Sequence, residues 1–169
     1  MGSISNLATL LLRQGNFDEA EELSRVALAA YRRTLGDSHP NTLSAVNNLG
    51  GLLITRKKLG EAEPLCREAV DGRRRTLGDA HPHTLTSINN LAGLLHAQGK
   101  LGEAEPLLRE VLGCSRRTQG ATHPDTLTCT YNLGRLLFDL GKRDEAEPLL
   151  REAAAGEEET ARSAGPWCT

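Results

Sequence analysis

Three histidines recur at equal spacing and are the first candidates for chemistry. His39, His81 and His123 are separated by 42 residues each, and a proline follows every one of them. Zinc requires ligand nitrogens within about 2.1 Å of one ion. If the spacing reflects a structural repeat, equivalent residues lie on the order of 10 Å apart, because packed helices are separated by about 8–10 Å. We therefore expect no metal site, and we predict that each histidine positions the start of a proline-capped helix.

Other residue types that support catalysis also lack a suitable arrangement. Glu61 and Glu63 are paired carboxylates, but we predict that they lie on an exposed helix start, where no cleft shifts their pKa. The sequence contains no phosphate-binding glycine loop, dinucleotide-binding motif or Ser-His-Asp arrangement. The cysteines form no CxxC pair, so we expect free thiols in a reducing compartment. They are Cys66, Cys114, Cys129 and Cys168. The sequence predicts a protein that is not an enzyme and that uses no cofactor.

Composition and charge narrow the possible classes of protein further. Only 3% of the 169 residues are aromatic, so the core must consist of Leu, Ala and Val, which suits close-packed helices. The net charge of -2, from 20 basic and 22 acidic residues, gives no electrostatic footprint for nucleic acid. No apolar run approaches the roughly 20 residues of a membrane span, and the N-terminus lacks the pattern of a signal peptide. We expect no nucleic-acid binding, no direct membrane insertion, and a cytoplasmic protein or organelle-resident subunit.

A repeat of 42 residues organises the chain. Residues 35–76 and 77–118 are identical at 26 of 42 positions when aligned without gaps, and the register extends in both directions. We predict four repeats and an irregular tail, with these bounds: 1–34 (truncated at its N-terminus), 35–76, 77–118, 119–158 and 159–169. No polar capping helix is evident at either end. We therefore expect apolar end surfaces through which self-association is possible. The chain is either a segment of a longer array, which its abrupt start favours, or a natural chain with a ragged end.

The first helix of each repeat is predicted to begin after the His-Pro step. Proline suits the first helical position, and the residue before it avoids the helical region. Apolar residues then follow helical spacing, as at Val46, Leu49 and Leu53. The helix should end near Gly99 and Gly141 in the later repeats, because glycine adopts the left-handed conformation at a helix end.

The second helix of each repeat is predicted from its charges. Acidic residues open it and arginines close it, and both placements complement the helix dipole. We expect the cluster of Arg73, Arg74 and Arg75 to be a solvated helix end. Pro64 should lie in the first turn, where a missing N–H is tolerated. Cys66 occupies a position that is leucine in later repeats, which predicts a thiol in the core.

These motifs resemble a known family. The run NNLGGLL, then LGEAEPL, then REAV is similar to the tetratricopeptide repeat, whose usual unit has about 34 residues. The 42-residue form with LGxxHPxT resembles the kinesin-light-chain type. The resemblance covers nearly the whole chain. It implies an all-α fold, a right-handed α-solenoid of about four helix-turn-helix units with eight helices, and a role in protein–protein interaction.

The resemblance also implies a concave groove lined by the first helices. Helical spacing opposite the leucine stripe then selects the candidate groove residues, which are Asn6, Asn47, Asn48, Asn89, Asn90, His96, Tyr131, Asn132, Arg135 and Phe138. An asparagine amide donates and accepts at once, so it can bond both the N–H and the C=O of an extended peptide. Alternatively, the in-phase asparagines bond a neighbouring helix and fix repeat stacking. Tyr131 and Arg135 depart from the repeat and are residue types enriched at binding hot spots.

Two function classes follow from this groove. The first is a scaffold that binds an extended peptide or a partner helix. The second is a permanent structural subunit or assembly factor within a larger complex. A clamp for a terminal carboxylate is not expected, because the predicted groove contains few cations.

Overall fold

The described part of the chain is helical throughout. In the computed structural model, residues 7, 10–11 and 14–163 are described, without the side chains of residues 157 and 159–163. These residues contain no strand. Their seven helices are α1 (Phe17–Leu35), α2 (Pro40–Thr55), α3 (Leu59–Leu77), α4 (Pro82–Ala97), α5 (Leu101–Thr118), α6 (Pro124–Asp139) and α7 (Arg143–Ser163).

The predicted helix at the start of repeat 1 falls mostly outside the described residues. Leu7, Leu10 and Leu11 are helical, and the other residues from 1 to 13 are not described. The seven helices that follow match the predicted order of first and second helices in each repeat. The predicted all-α fold is therefore confirmed.

The chain divides into two compact units, residues 1–94 and 95–169. In the first unit, α2 packs against both α1 and α3, and its core includes the fully buried Val46 and Leu53. In the second unit, α6 packs against both α5 and α7, and Leu136 and Leu137 are fully buried. Both cores are mostly aliphatic, as the composition predicts, with Tyr31 as a buried ring in the first unit.

The recurring histidines start the first helices. The Nδ1 atoms of His39 and His81 each accept a hydrogen bond of 3.1 Å from the backbone N–H two residues later, and His123 accepts one of 3.2 Å. Each imidazole thus satisfies one of the donors that a helix start leaves without an intrahelical partner. The predicted role of these histidines is confirmed. No group of three or more metal-ligating side chains occurs among the described residues.

The first helices of repeats 3 and 4 end as predicted. Gly99 and Gly141 both have φ near 76°, in the left-handed region where a Cβ is disfavoured. Repeat 2 has Lys57 at the corresponding turn, with φ of 60°.

Two predictions about the second helices are wrong. Helix α3 begins at Leu59, so Pro64 lies beyond the first turn, and the ring leaves the carbonyl of Gly60 without its usual helical donor. Arg73 is not solvated like a helix end, because only 5% of the residue is exposed. Its guanidinium instead bonds to Ser87 and to the backbone of α4.

The predicted irregular tail also needs correction. Helix α7 continues to Ser163, so residues 159–163 are helical rather than irregular. The sequence there, with Glu, Ala and Arg among its residues, has a high helix propensity and contains no glycine or proline until Gly165. Residues 164–169, including Trp167 and Cys168, lie outside the described part of the chain.

Ion pairs join successive second helices at a constant spacing of 36 residues. In each pair an arginine donates to a glutamate of the next repeat, and most of these side chains are substantially exposed. The pairs are Arg25–Glu61 (2.6 Å), Arg32–Glu68 (2.7 Å), Arg109–Glu145 (2.6 Å) and Arg116–Glu152 (2.6 Å). Exposed pairs of this kind contribute about 0–1 kcal/mol each, so they favour one register more than they add stability.

A further glutamate that forms ion pairs with the next repeat, Glu21, is buried, because its side chain is only 9% exposed. It accepts hydrogen bonds from Arg25, Arg56 and Lys58, at distances between 2.6 and 3.2 Å. Its burial acts to raise the pKa, but the bonds from Lys58 and Arg25 outweigh burial and lower the pKa of Glu21 to about 2. The folded state therefore strongly favours the charged carboxylate.

This lowered pKa predicts a specific loss of stability in acid. The contribution of Glu21 is complete above its ordinary pKa of 4.5 and is lost as the pH falls from there towards 2. We expect Glu21→Gln to lower the free energy of unfolding by about 1–3 kcal/mol at pH 7. Urea titrations from pH 2 to 7 should show the difference from wild type shrinking below pH 4.5. Glu61→Gln, in an exposed pair, is the control, and an equal loss in both variants would contradict the assignment.

A missing Cβ allows close packing in the first unit. A Cβ built on Gly72 would lie 2.3 Å from Cδ2 of Leu43, and Leu43 is itself only 2% exposed. The leucine therefore has little freedom to move away. A Cβ on Gly51, in contrast, meets nothing within 4 Å.

We predict opposite effects of alanine at these two glycines. Gly72→Ala should destabilise the fold by about 1–3 kcal/mol through overpacking, despite the better helix propensity of alanine. Gly51→Ala should stabilise it by about 0.5–1 kcal/mol. Thermal and urea unfolding of both variants measures the difference, and stabilisation by Gly72→Ala would show that the contact relaxes freely.

Candidate functional site

The in-phase asparagines differ in exposure along the chain. Asn48 on α2 is exposed, whereas Asn90 on α4 and Asn132 on α6 are half-buried. Asn6, the first member of the series, lies outside the described residues. Asn48 is therefore the most accessible of the described members, while the later members are partly enclosed by the protein.

Asn47 takes part in repeat stacking. It is 8% exposed, and its Oδ1 accepts a hydrogen bond of 2.9 Å from Ser87 Oγ and one of 3.2 Å from Asn90 Nδ2. Both donors belong to the next repeat, so this amide joins α2 to α4 as the stacking alternative proposed. Asn89, its in-phase equivalent, is half-buried.

Helix α6 presents an aromatic and cationic stripe. Tyr131, Arg135 and Phe138 have the spacing i, i+4 and i+7, which places them on one helix face. Tyr131 is 43% exposed and Phe138 is 52% exposed. The guanidinium of Arg135 lies 5.8 Å from the ring centre of Tyr131, and that of Arg143 lies 5.6 Å from the ring of Phe138. These are cation–π distances.

His96 lies beside the C-terminal end of α6. Its Nε2 lies 2.6 Å from Oδ2 of Asp139, the last residue of α6, and its side chain is 26% exposed. The contact joins the end of α4 to the end of α6 and orients the imidazole. We call Tyr131, Arg135, Phe138 and His96 the α6 surface.

Sequence reasoning missed two residues of this region. Asp139 and Arg143 bond or stack with predicted site residues but were not selected. The signal that identified Tyr131 also applies to them. Asp139 replaces Ala97 of the preceding repeat, and Arg143 replaces Leu101, so both are charged departures from the repeat.

Three cysteine thiols lie inside the described part of the chain. Cys66, Cys114 and Cys129 are free and buried, as predicted for Cys66 in particular. Burial, together with the nearby charge of Glu63, raises the pKa of Cys66 to about 11, and burial also raises the pKa of Cys129. A thiol with a raised pKa forms little of the nucleophilic thiolate at neutral pH.

Comparison with known families identifies the repeat. Two overlapping matches to a tetratricopeptide repeat model cover residues 44–116 and 87–159, and a second such model matches residues 1–41. The chain belongs to the tetratricopeptide repeat family. Tetratricopeptide repeats are generally protein–protein interaction modules, and the fold is typically a non-enzymatic scaffold. Among curated proteins, none matches this sequence. No helix in the described ranges is long and apolar enough to cross a membrane.

Solved structures share this repeat fold. BtubC (BKLC) from P. vanneervenii is 23% identical with a TM-score of 0.86, which shows the fold, and the match covers 95% of this chain and 64% of BtubC. Two crystal structures of a Podosopora anserina protein are 30% identical, with TM-scores of 0.81 and 0.78. That protein is described as a kinesin light chain with nearly identical TPR-like repeats, and the match covers 95% of this chain and 76% of it. The predicted kinesin-light-chain-like type of tetratricopeptide repeat is confirmed.

The exposure of the α6 surface predicts that it contributes little to stability. Phe138 is 52% exposed, whereas the adjacent Leu137 is completely buried. Phe138→Ala should change the free energy of unfolding by less than about 1 kcal/mol. Leu137→Ala should lower it by about 2–5 kcal/mol through the cavity it creates. Equilibrium unfolding in urea tests the contrast, and similar losses in the two variants would show that Phe138 is a core residue.

Proposed function

We propose that this chain is a protein-interaction scaffold that binds an extended peptide or a partner helix along the first helices of its repeats. The exposed α6 surface is the observation that carries the proposal. Tyr131 and Phe138 are large apolar side chains left in solvent on one helix face, each with an arginine against its ring. Tyrosine and arginine are over-represented among residues that dominate binding energy.

The asparagines supply a complementary kind of contact. Asn48 is exposed and Asn90 is half-buried, and both occupy the same repeat position on consecutive first helices. An amide at each repeat can bond the main chain of a partner segment without reading its side chains. Membership of the tetratricopeptide repeat family supports a role in protein interaction in general.

A second function is favoured by a different surface. Leu7, Leu10 and Val26 in the first unit are 46%, 51% and 52% exposed. Exposed aliphatic side chains of this kind suit permanent contact within a larger assembly or between copies of the chain. In that case the protein is a structural subunit, and the α6 surface is not its main contact.

Affinity capture with matched variants tests the two functions. Tyr131→Ala, Arg135→Ala and Phe138→Ala should together reduce the recovery of captured proteins by about tenfold or more, because hot-spot truncations each cost about 1–2 kcal/mol or more. A Leu10→Ser and Val26→Ser double variant should leave recovery unchanged. Quantitative mass spectrometry of the captured proteins gives the readout, and far-ultraviolet circular dichroism confirms that each variant is folded. The reverse result would favour the structural subunit.

A further inference from the structure

A buried arginine between repeats 2 and 3 has only uncharged acceptors among the described residues. The guanidinium of Arg73 donates hydrogen bonds of 2.8 Å to the carbonyl of His83 and to Ser87 Oγ, and a longer one of 3.4 Å to Ser44 Oγ. Burial lowers the pKa of Arg73. The ordinary value of a guanidinium is so high that the group stays protonated at neutral pH. It therefore acts as a permanent donor that cannot accept.

This permanent donor gives the neighbouring hydrogen bonds a direction. Ser87 Oγ accepts from Arg73, and its own hydrogen is donated to Oδ1 of Asn47 at 2.9 Å. An amide oxygen cannot donate, so the second bond to the same Oδ1 must come from the amide nitrogen of Asn90, at 3.2 Å. The direction of these bonds follows from the guanidinium, which only donates, together with the placement of Asn47 Oδ1 towards Ser87 and Asn90.

The direction decides how the amide of Asn90 is turned towards a partner. One hydrogen of its Nδ2 is donated to Asn47, which leaves the carbonyl oxygen and the second amide hydrogen, and no other hydrogen bond to this half-buried side chain occurs within the described part of the chain. We propose that Arg73 is a positioning residue that, through Ser87 and Asn47, turns the carbonyl oxygen of Asn90 outwards as an acceptor for a main-chain N–H of the bound segment. The second part of this inference, that Asn90 accepts a hydrogen bond from a bound segment, rests on the proposed function.

The arrangement is specific to one repeat junction. The positions 42 residues before Arg73 and Ser87 hold Tyr31 and Ala45, neither of which can replace the guanidinium and hydroxyl pair. Asn48, the equivalent of Asn90, is exposed and makes no side-chain hydrogen bond within the described part of the chain. Consecutive repeats thus present different amides, because that of Asn90 is oriented by its bond to Asn47.

Two isosteric substitutions test the direction. Asn47→Asp keeps an acceptor oxygen for both incoming bonds and adds a negative charge near Arg73, so the unfolding equilibrium constant should change less than about threefold. Asn90→Asp replaces the donor with a second acceptor facing Asn47, so the constant should rise by about tenfold or more. Urea unfolding at pH 7.5 measures both. The opposite order, or equal effects, would overturn the proposed direction.

A second measurement reports on Arg73 in the folded protein. In the wild type, the side-chain amide hydrogens of Asn90 should exchange slowly with solvent, as seen by nuclear magnetic resonance of ¹⁵N-asparagine-labelled protein. Arg73→Met should speed this exchange by about tenfold or more, because Ser87 is no longer forced to donate towards Asn47. Arg75→Met is the control, since Arg75 is exposed and bonds only the backbone of Asp71. If the exchange rate of the Asn90 amide hydrogens is unchanged in a folded Arg73→Met variant, Arg73 is not a positioning residue.

The partner half has its own probe. A peptide selected from a random linear library on the wild-type protein would be resynthesised with single ester bonds that replace one N–H at a time. One ester should weaken binding by about tenfold to the wild type but much less to Asn90→Ala. Sensitivity that is the same in both proteins would contradict the acceptor role of Asn90. A library that yields no binder would contradict the proposed function, while the aspartate variants would still decide the direction set by Arg73.

Discussion

Neighbouring helices approach closely in this chain because small residues occupy their contact points. Ala62 and Ala104 are completely buried, and a Cβ on Gly72 would overlap Leu43. Packing at such distances leaves little internal room for large rings. The core is accordingly mostly aliphatic, with Tyr31 as a buried ring of the first unit, and the rings of Tyr131 and Phe138 on α6 are exposed.

Polar contacts between repeats act at two levels of burial. On the outside, pairs such as Arg32–Glu68 recur with the repeat and are screened by solvent, so their main effect is on register. Inside, Arg73 is a cation whose hydrogen-bond acceptors are all neutral. A buried charge is costly unless its hydrogen bonds are made, so the groups around it must keep their orientation. This is how an interior contact can influence a surface amide.

The departures from the repeat coincide with the functional proposals. Tyr131 and Arg135 differ from their in-phase equivalents, and so do Asp139 and Arg73. Positions shared by all repeats are explained by packing, helix starts and helix ends. Since packing, helix starts and helix ends place the same requirements on every repeat, a residue that differs between repeats either is not needed for them or has another role. Three of these residues are exposed on α6, and the fourth, Arg73, is buried in an interior hydrogen-bond network.

The period of the sequence determined the helices, their histidine starts and their glycine ends. These features depend on residues close together in the chain, and local rules suffice for them. The burial of Arg73 and the double role of Asn47 depended on tertiary structure. A hydrogen-bond acceptor 14 residues away comes into reach only when α3 and α4 pack. From sequence alone, a charged side chain at a helix end is expected to lie in solvent. Whether a side chain such as Arg73 faces water or the next repeat depends on how the neighbouring helix packs.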